Sequence, residues 1–291
     1  MTHTKAMSTS SFIFFGSSRL SIIVLDELFS LGLIPSAIVT SPDKPQGRKL
    51  TLTANPVKIW GNSKNIPVFD PVKLDNELTE KLLSFKAHYF LVASFGTIIP
   101  NTIINLPPKK SLNIHPSLLP KYRGPSPLPT AILDDSKKSG VTIMVMDSEM
   151  DHGPILATKE VVITEWPIYE DYEEMMAKEG ARLFVETIPK WLGGEIKPQE
   201  QDHAAATYTR KMTKEDGLLD LNADEYLNFR KIQAYHEWPQ AYFFQEHNGE
   251  KIRVKVTQAS FKDGHLIIEK VLPESGKVMR YEDFERGYVK E

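Results

Sequence analysis

The stretch LNIHPSLLPKYRGPSP, residues 112–127, sets an asparagine and a histidine two positions apart among apolar neighbours. On a strand, residues i and i+2 share a face, so Asn113 and His115 point one way while Leu112 and Ile114 point the other. Pro116 has no N–H for a ladder bond, so the strand is predicted to stop there with the pair at its C-terminal end. In open α/β sheets that is the end at which ligands bind. A second element, MDSEMDHGPI, is an acidic turn in which Asp151 is the last carboxylate before a glycine. Asparagine can donate to a developing oxyanion, and histidine can move a proton near neutral pH. Aspartate can orient a histidine or take a proton from a nucleophile. Together the three suit acyl transfer without a covalent enzyme intermediate.

Each feature also has a plainer reading. Taken alone, an Asn-x-His pair on a strand is more often structural than catalytic, and DHG is more often a turn. A metal site from His115, Asp151 and His152 lacks diagnostic ligand spacing, so no metal is expected. Ser117 lacks the Gly-x-Ser-x-Gly setting of a serine nucleophile. The first glycine turn, FIFFGSSRLS, has one glycine where a dinucleotide fingerprint needs three, which argues against NAD.

The elements that must hold these residues follow from periodicity. SFIFFGSS reads as a short strand, and Leu20, Ile23, Val24, Leu28 and Leu31 recur at helical spacing after it. PSAIVTS, IPVF, HYFLVAS and KSLNIH read as further strands, with helices through VKIWGNSKN and LDNELTEKLLSF. Strands separated by helices of this length imply βαβ units and a mostly parallel sheet. GVTIMVMD and ILATKEVVIT continue as strands, and EDYEEMMAKEGARLFVETIPKWLGG as a long helix ending at a double glycine. From about Thr207 the texture changes. A helix through ADEYLNFRKIQAY is followed by short strands at turn spacing, which predicts a small barrel or open sheet. Two domains are expected, 11–206 and 207–291.

Composition bounds the function. The 291 residues are 41% hydrophobic and 25% charged, with a formal charge of -3. Such a balance cannot hold nucleic acid by bulk charge, so any RNA contact must come from local basic patches. Lys251, Arg253 and Lys255, alternating along one predicted strand, are one candidate face. The absence of cysteine excludes thiolate nucleophiles, thiolate metal sites and disulfides. The apolar run near the N-terminus is too short for a signal peptide, and SIIVLDELFSLGLI is interrupted by Asp26 and Glu27. A cytoplasmic protein without membrane contact is expected.

LNIHPSLLPKYRG followed by GVTIMVMDSEMDHGPIL resembles the formyltransferases that use 10-formyltetrahydrofolate. VTSPDKPQGRKLTLTANPVK, IPVFDPVKL, TYTRKMTKEDGLLDLNADEYLNFRKIQAYHEWPQAY and GKVMRYEDFERGY narrow the likeness to the methionyl-tRNA formyltransferase family, over residues 11–289. The resemblance implies a Rossmann-like catalytic domain followed by a small OB-like β-barrel. It implies formyl transfer from 10-formyltetrahydrofolate to the α-amino group of methionine on initiator tRNA, by a monomer. By position, Asn113, His115 and Asp151 would form the catalytic set, and Ser117, Leu118, Leu119 and Pro120 the folate contact. Arg48 and Lys49 would approach the tRNA. The basic loop, GRKL, is thinner than the family's usual run, and Phe95 stands where tyrosine is common.

Overall fold

The four residues of FIFF, Phe12–Phe15, form β1 and have no accessible surface, as a strand covered on both faces requires. Gly16 follows, where a Cβ would lie 2.5 Å from the Phe14 ring. Only glycine lets the chain turn so closely into α1, Arg19–Ser30. Ser18 caps this helix by accepting from the Ser21 N–H, while its own N–H donates to the Ser21 hydroxyl. The computed structural model describes residues 10–46, 51–247 and 249–288.

After α1 come β2 (Ala37–Val39), the antiparallel pair β3 (Lys44–Gln46) and β4 (Thr51–Thr53), α2 (Pro56–Ser63) and β5 (Val68–Phe69). Next are α3 (Asn76–Ser84), β6 (Tyr89–Val92), α4 (Asn101–Ile104), β7 (Ser111–His115), α5 (Pro127–Leu133), β8 (Lys138–Val145), β9 (Ile155–Val162) and α6 (Tyr169–Leu192). The main sheet has the order β5-β2-β1-β6-β7-β8-β9. The strands from β5 to β7 are parallel, as expected from their helical connections. β8 departs from that pattern, running antiparallel to β7. The strand order reverses between β1 and β6, the kind of switch point beside whose C-terminal strand ends ligands bind in open α/β sheets.

The chain divides into two units. The first comprises the chain to Pro125, Gly140–Val161 and Glu174–Tyr208. On one face of its sheet, Ile13, Phe15, Phe90 and Val92 pack with Leu78 and Leu82 of α3 and Ile103 and Ile104 of α4. On the other, Phe12 stacks on Tyr89, which meets Phe184 of α6. Trp60 of α2 donates to Asp26, and Arg182 of α6 to Glu27, tying both helices to α1.

The second unit comprises Ser126–Ser139, Val162–Glu173 and the chain from Thr209. α7 (Glu225–Ala234) precedes an antiparallel sheet, β10 (Tyr242–His247), β11 (Glu250–Lys262), β12 (His265–Pro273) and β13 (Met279–Arg280). α8 (Tyr281–Tyr288) follows. Phe243, Val254, Val256, Val271 and Phe284 form its core with Leu219 and Ile232. Among the described residues the sheet is open, with β10 and β13 at its edges. β11 carries a register shift between Val256 and Ala259, the kind of irregularity that bends a strand. No helix among the described residues is long and apolar enough to cross a membrane.

Candidate active site

β7 presents the pair found in the sequence. It is held on both sides, Asn113 opposite Val92 of β6 and Met144 of β8, and His115 opposite Thr142. Ile114 packs on Gly180 of α6, where a Cβ would come within 2.5 Å of its Cγ2. With Leu112 and Ile114 buried, alternation puts Asn113 and His115 on the opposite face. His115 is only 4% exposed.

Asp151 reaches this face from the turn after β8. Its backbone is left-handed, φ +51°, which costs a non-glycine residue on the order of 1–3 kcal/mol and must be imposed by surrounding bonds. Gly153 makes the turn tight: a Cβ there would sit 2.0 Å from the Val145 carbonyl oxygen. Asp151 Oδ2 accepts from the Gly124 N–H at 2.7 Å. Its Oδ1 lies 3.4 Å from Asn113 Nδ2 and 3.7 Å from His115 Nδ1. His115 Nε2 is 3.0 Å from the Tyr122 carbonyl oxygen. A carbonyl can only accept, so Nε2 carries a hydrogen, and in the neutral ring the lone pair is on Nδ1, toward Asp151. The structure thus brings together all three residues singled out for chemistry, with one nitrogen of His115 fixed and the other available for proton exchange.

Ser117, Leu118, Leu119 and Pro120 form a turn directly after the strand. The Ser117 hydroxyl donates to the Lys121 carbonyl at 2.7 Å, and its N–H to the His115 carbonyl at 2.9 Å. Thr142 Oγ1 donates to the Ser117 carbonyl and accepts from the Leu119 N–H. Ser117 and Leu119 are buried, whereas Leu118 and Pro120 are partly exposed. Arg48 and Lys49 lie outside the described residues. On either side of them in the chain, Asp43 accepts from the Asn55 N–H at 2.9 Å and from Lys58, which also reaches Asp70 at 2.6 Å. The Asn55 amide and then the Lys58 ammonium hold the Asp43 carboxyl below its ordinary value. Asp70 and then Asp43 hold Lys58 above its own.

His152 turns away from His115: its Nδ1 pairs with Asp147 at 2.7 Å and its ring stacks on His203, centroids 4.1 Å apart. Among the described residues no three His, Asp or Glu side chains converge on a cation position. Two residues that sequence reasoning missed stand behind the site, Arg123 (1% exposed) and Gln201 (5% exposed). Their partners lie far away along the chain, so no local motif marks them.

The formyl transferase family matches residues 20–188, more than half of the chain. The methionyl-tRNA formyltransferase of Chloroflexus aurantiacus is 37% identical over 265 residues, covering 91% of this chain and 85% of its own length. The chain belongs to the methionyl-tRNA formyltransferase family. Among solved structures, methionyl-tRNA formyltransferase from Clostridium thermocellum superposes with a TM-score of 0.61 at 18% identity, over 93% of this chain and 99% of its own. A sugar N-formyltransferase from a Shewanella species reaches 0.62 at 19% identity, over 83% and 95%. At such identities these likenesses speak for the fold. The stretch that matches the formyl transferase family holds Asn113, His115 and Asp151 but ends before Gln201.

Proposed function

We propose that the protein transfers a formyl group from 10-formyltetrahydrofolate to the α-amino group of methionyl initiator tRNA, and so serves translation initiation. The observation that carries this reading is the convergence of Asn113, His115 and Asp151 at one strand end, in a chain 37% identical to a methionyl-tRNA formyltransferase. The neutral amine attacks the formyl carbon, forming a C–N bond and an oxyanion. Asn113 donates to that oxygen. Asp151 takes the proton leaving the amine, directly or through water. Asp151 passes that proton to His115 Nδ1, which delivers it to N10 as the bond from carbon to N10 breaks. The balance yields the formyl-amide and tetrahydrofolate, with both side chains restored. No metal is required.

For the donor, the partly exposed Leu118 and Pro120 supply apolar contact, while the buried Ser117 and Leu119 shape the turn. For the tRNA, Arg48 and Lys49 approach the acceptor end. We read the second unit as OB-like, supported by its bulged 13-residue β11. Its basic strand supports RNA contact: Arg253 lies 3.9 Å from the Tyr242 ring and Lys251 4.5 Å from the Phe244 ring. Interleaved cations and rings suit a nucleic-acid backbone and bases. The enzyme acts as a cytoplasmic monomer in this reading.

The rival reading, formyl transfer to a nucleotide-linked amino sugar, draws on the fold likeness to the Shewanella enzyme. A formyl-folate hydrolase, with water replacing the amine, would need no tRNA loop. Labelled formyl-folate offered with charged initiator tRNA, elongator tRNA or amino-sugar nucleotides separates the three. Label on methionyl initiator tRNA is expected; label on sugar alone, or free formate without acceptor, overturns the proposal.

A further inference from the structure

We infer that Gln201, anchored by Arg123, is a positioning residue that holds Asp151 in its reactive place; the inference rests on the role given to Asp151 in the proposed function. Gln201 Nε2 donates to the carbonyl oxygens of Asp151 at 2.9 Å and Gly153 at 2.7 Å. Its Oε1 accepts from Arg123 Nε at 3.1 Å and Nη2 at 2.7 Å. A guanidinium only donates and carbonyls only accept, so the amide has one possible orientation.

The anchor is itself tied down. Arg123 Nη2 donates to His203 Nδ1 at 2.9 Å and Nη1 to the Tyr208 hydroxyl at 3.1 Å. Its backbone N–H donates to the Thr207 carbonyl. The residues on either side of Arg123 touch the site directly: Tyr122 accepts from His115, and Gly124 donates to the Asp151 carboxylate. A closed frame results, in which one three-residue segment fixes the imidazole and the carboxylate, and Gln201 ties that segment to the backbone of Asp151. The frame matters because Asp151 is held in a left-handed conformation that would otherwise relax. A shift of about 1 Å in a reacting group can cost ~10²-fold in rate.

Gln201→Glu tests this, because it keeps an acceptor for Arg123 and removes the donor to the two carbonyls. The expected result is a kcat lowered by ~10- to 100-fold. KM for both substrates should stay near those of the parent protein, assayed well below a melting temperature that falls because two buried carbonyls lose their donor. The loss should largely disappear when the change is made in an Asp151→Asn background, since residues acting as a unit are not additive. An unchanged kcat overturns the inference. So does a loss that persists in full beside Asp151→Asn, or one that only tracks a fallen melting temperature. Should the parent protein itself transfer no formyl group to methionyl-tRNA, the proposed function fails separately. The crystal structure of Gln201→Glu then decides: a displaced Asp151 supports the inference, and an unmoved one overturns it.

Discussion

Gly124 donates its backbone N–H to Oδ2 of Asp151 at 2.7 Å, across 27 positions of chain. The two carboxylate oxygens therefore differ. Oδ2 is occupied by the main chain, while Oδ1 faces Asn113 and His115. Asp151→Asn must present either an NH₂ to the Gly124 donor or an NH₂ to the Asn113 amide, and each choice sets donor against donor. Loss of general-base function of this kind typically costs 10²–10⁴-fold, so kcat for formyl transfer is expected to fall by roughly that factor. Steady-state kinetics checks this.

Asn113 is expected to act on the oxyanion and not on the fold. Asn113→Ala should keep formyl-folate binding and lose about 10²–10³ in turnover, the usual cost of one oxyanion donor. Equilibrium titration of the folate beside single-turnover kinetics separates the two. An equal loss of binding and turnover would make Asn113 structural.

Gly153→Ala places a methyl group 2.0 Å from the Val145 carbonyl oxygen, where backbone must yield. Overpacking of this kind costs about 1–3 kcal/mol. The turn carrying Asp151 should shift with it. A lower melting temperature accompanied by a fall in kcat is expected. A variant with parental kinetics would show that the turn has slack.

Acid stability should report the second unit. The Arg210 guanidinium, followed by the Thr213 N–H, holds the Asp216 carboxyl down to about 2 from an ordinary 3.8. A lowered native value means stability that is fully present above about 3.8 and is lost as pH falls toward about 2. Arg210→Gln should therefore be less stable than the parent at pH 7, with the difference closing over that acid window. Urea unfolding at a series of pH values measures it, and a gap that stays constant with pH would refute the assignment.

Replacing Lys251, Arg253 and Lys255 with glutamine tests the basic strand. For every phosphate no longer neutralised, the dependence of log Kd for tRNA on log salt should flatten by roughly 0.7–0.9. An unchanged slope would mean that this face meets solvent only.

The alternation of LNIH exposed the strand and the face of Asn113 and His115, because a period of two leaves a direct trace in the residue order. The parallel sheet was legible from helices between strands. The antiparallel direction of β8 was not, since an apolar run reads the same both ways. α5 was hidden by its prolines: Pro127 and Pro129 occupy its first turn, where missing N–H groups cost nothing. At the site, Arg123 and Gln201 bond across 78 positions. Such pairs leave no periodic mark in one sequence.

The first unit is closed by a late pass of the chain, in which Gln199 pairs with Ile155 and Thr207 bonds to Pro120 and Arg123. During synthesis, then, Asn113, His115 and Asp151 all emerge from the ribosome well before the segment that braces them. A nascent chain halted at residue 188, where the formyl transferase match ends, already carries every group proposed for the chemistry. It should nonetheless be idle, because the brace is still to be made.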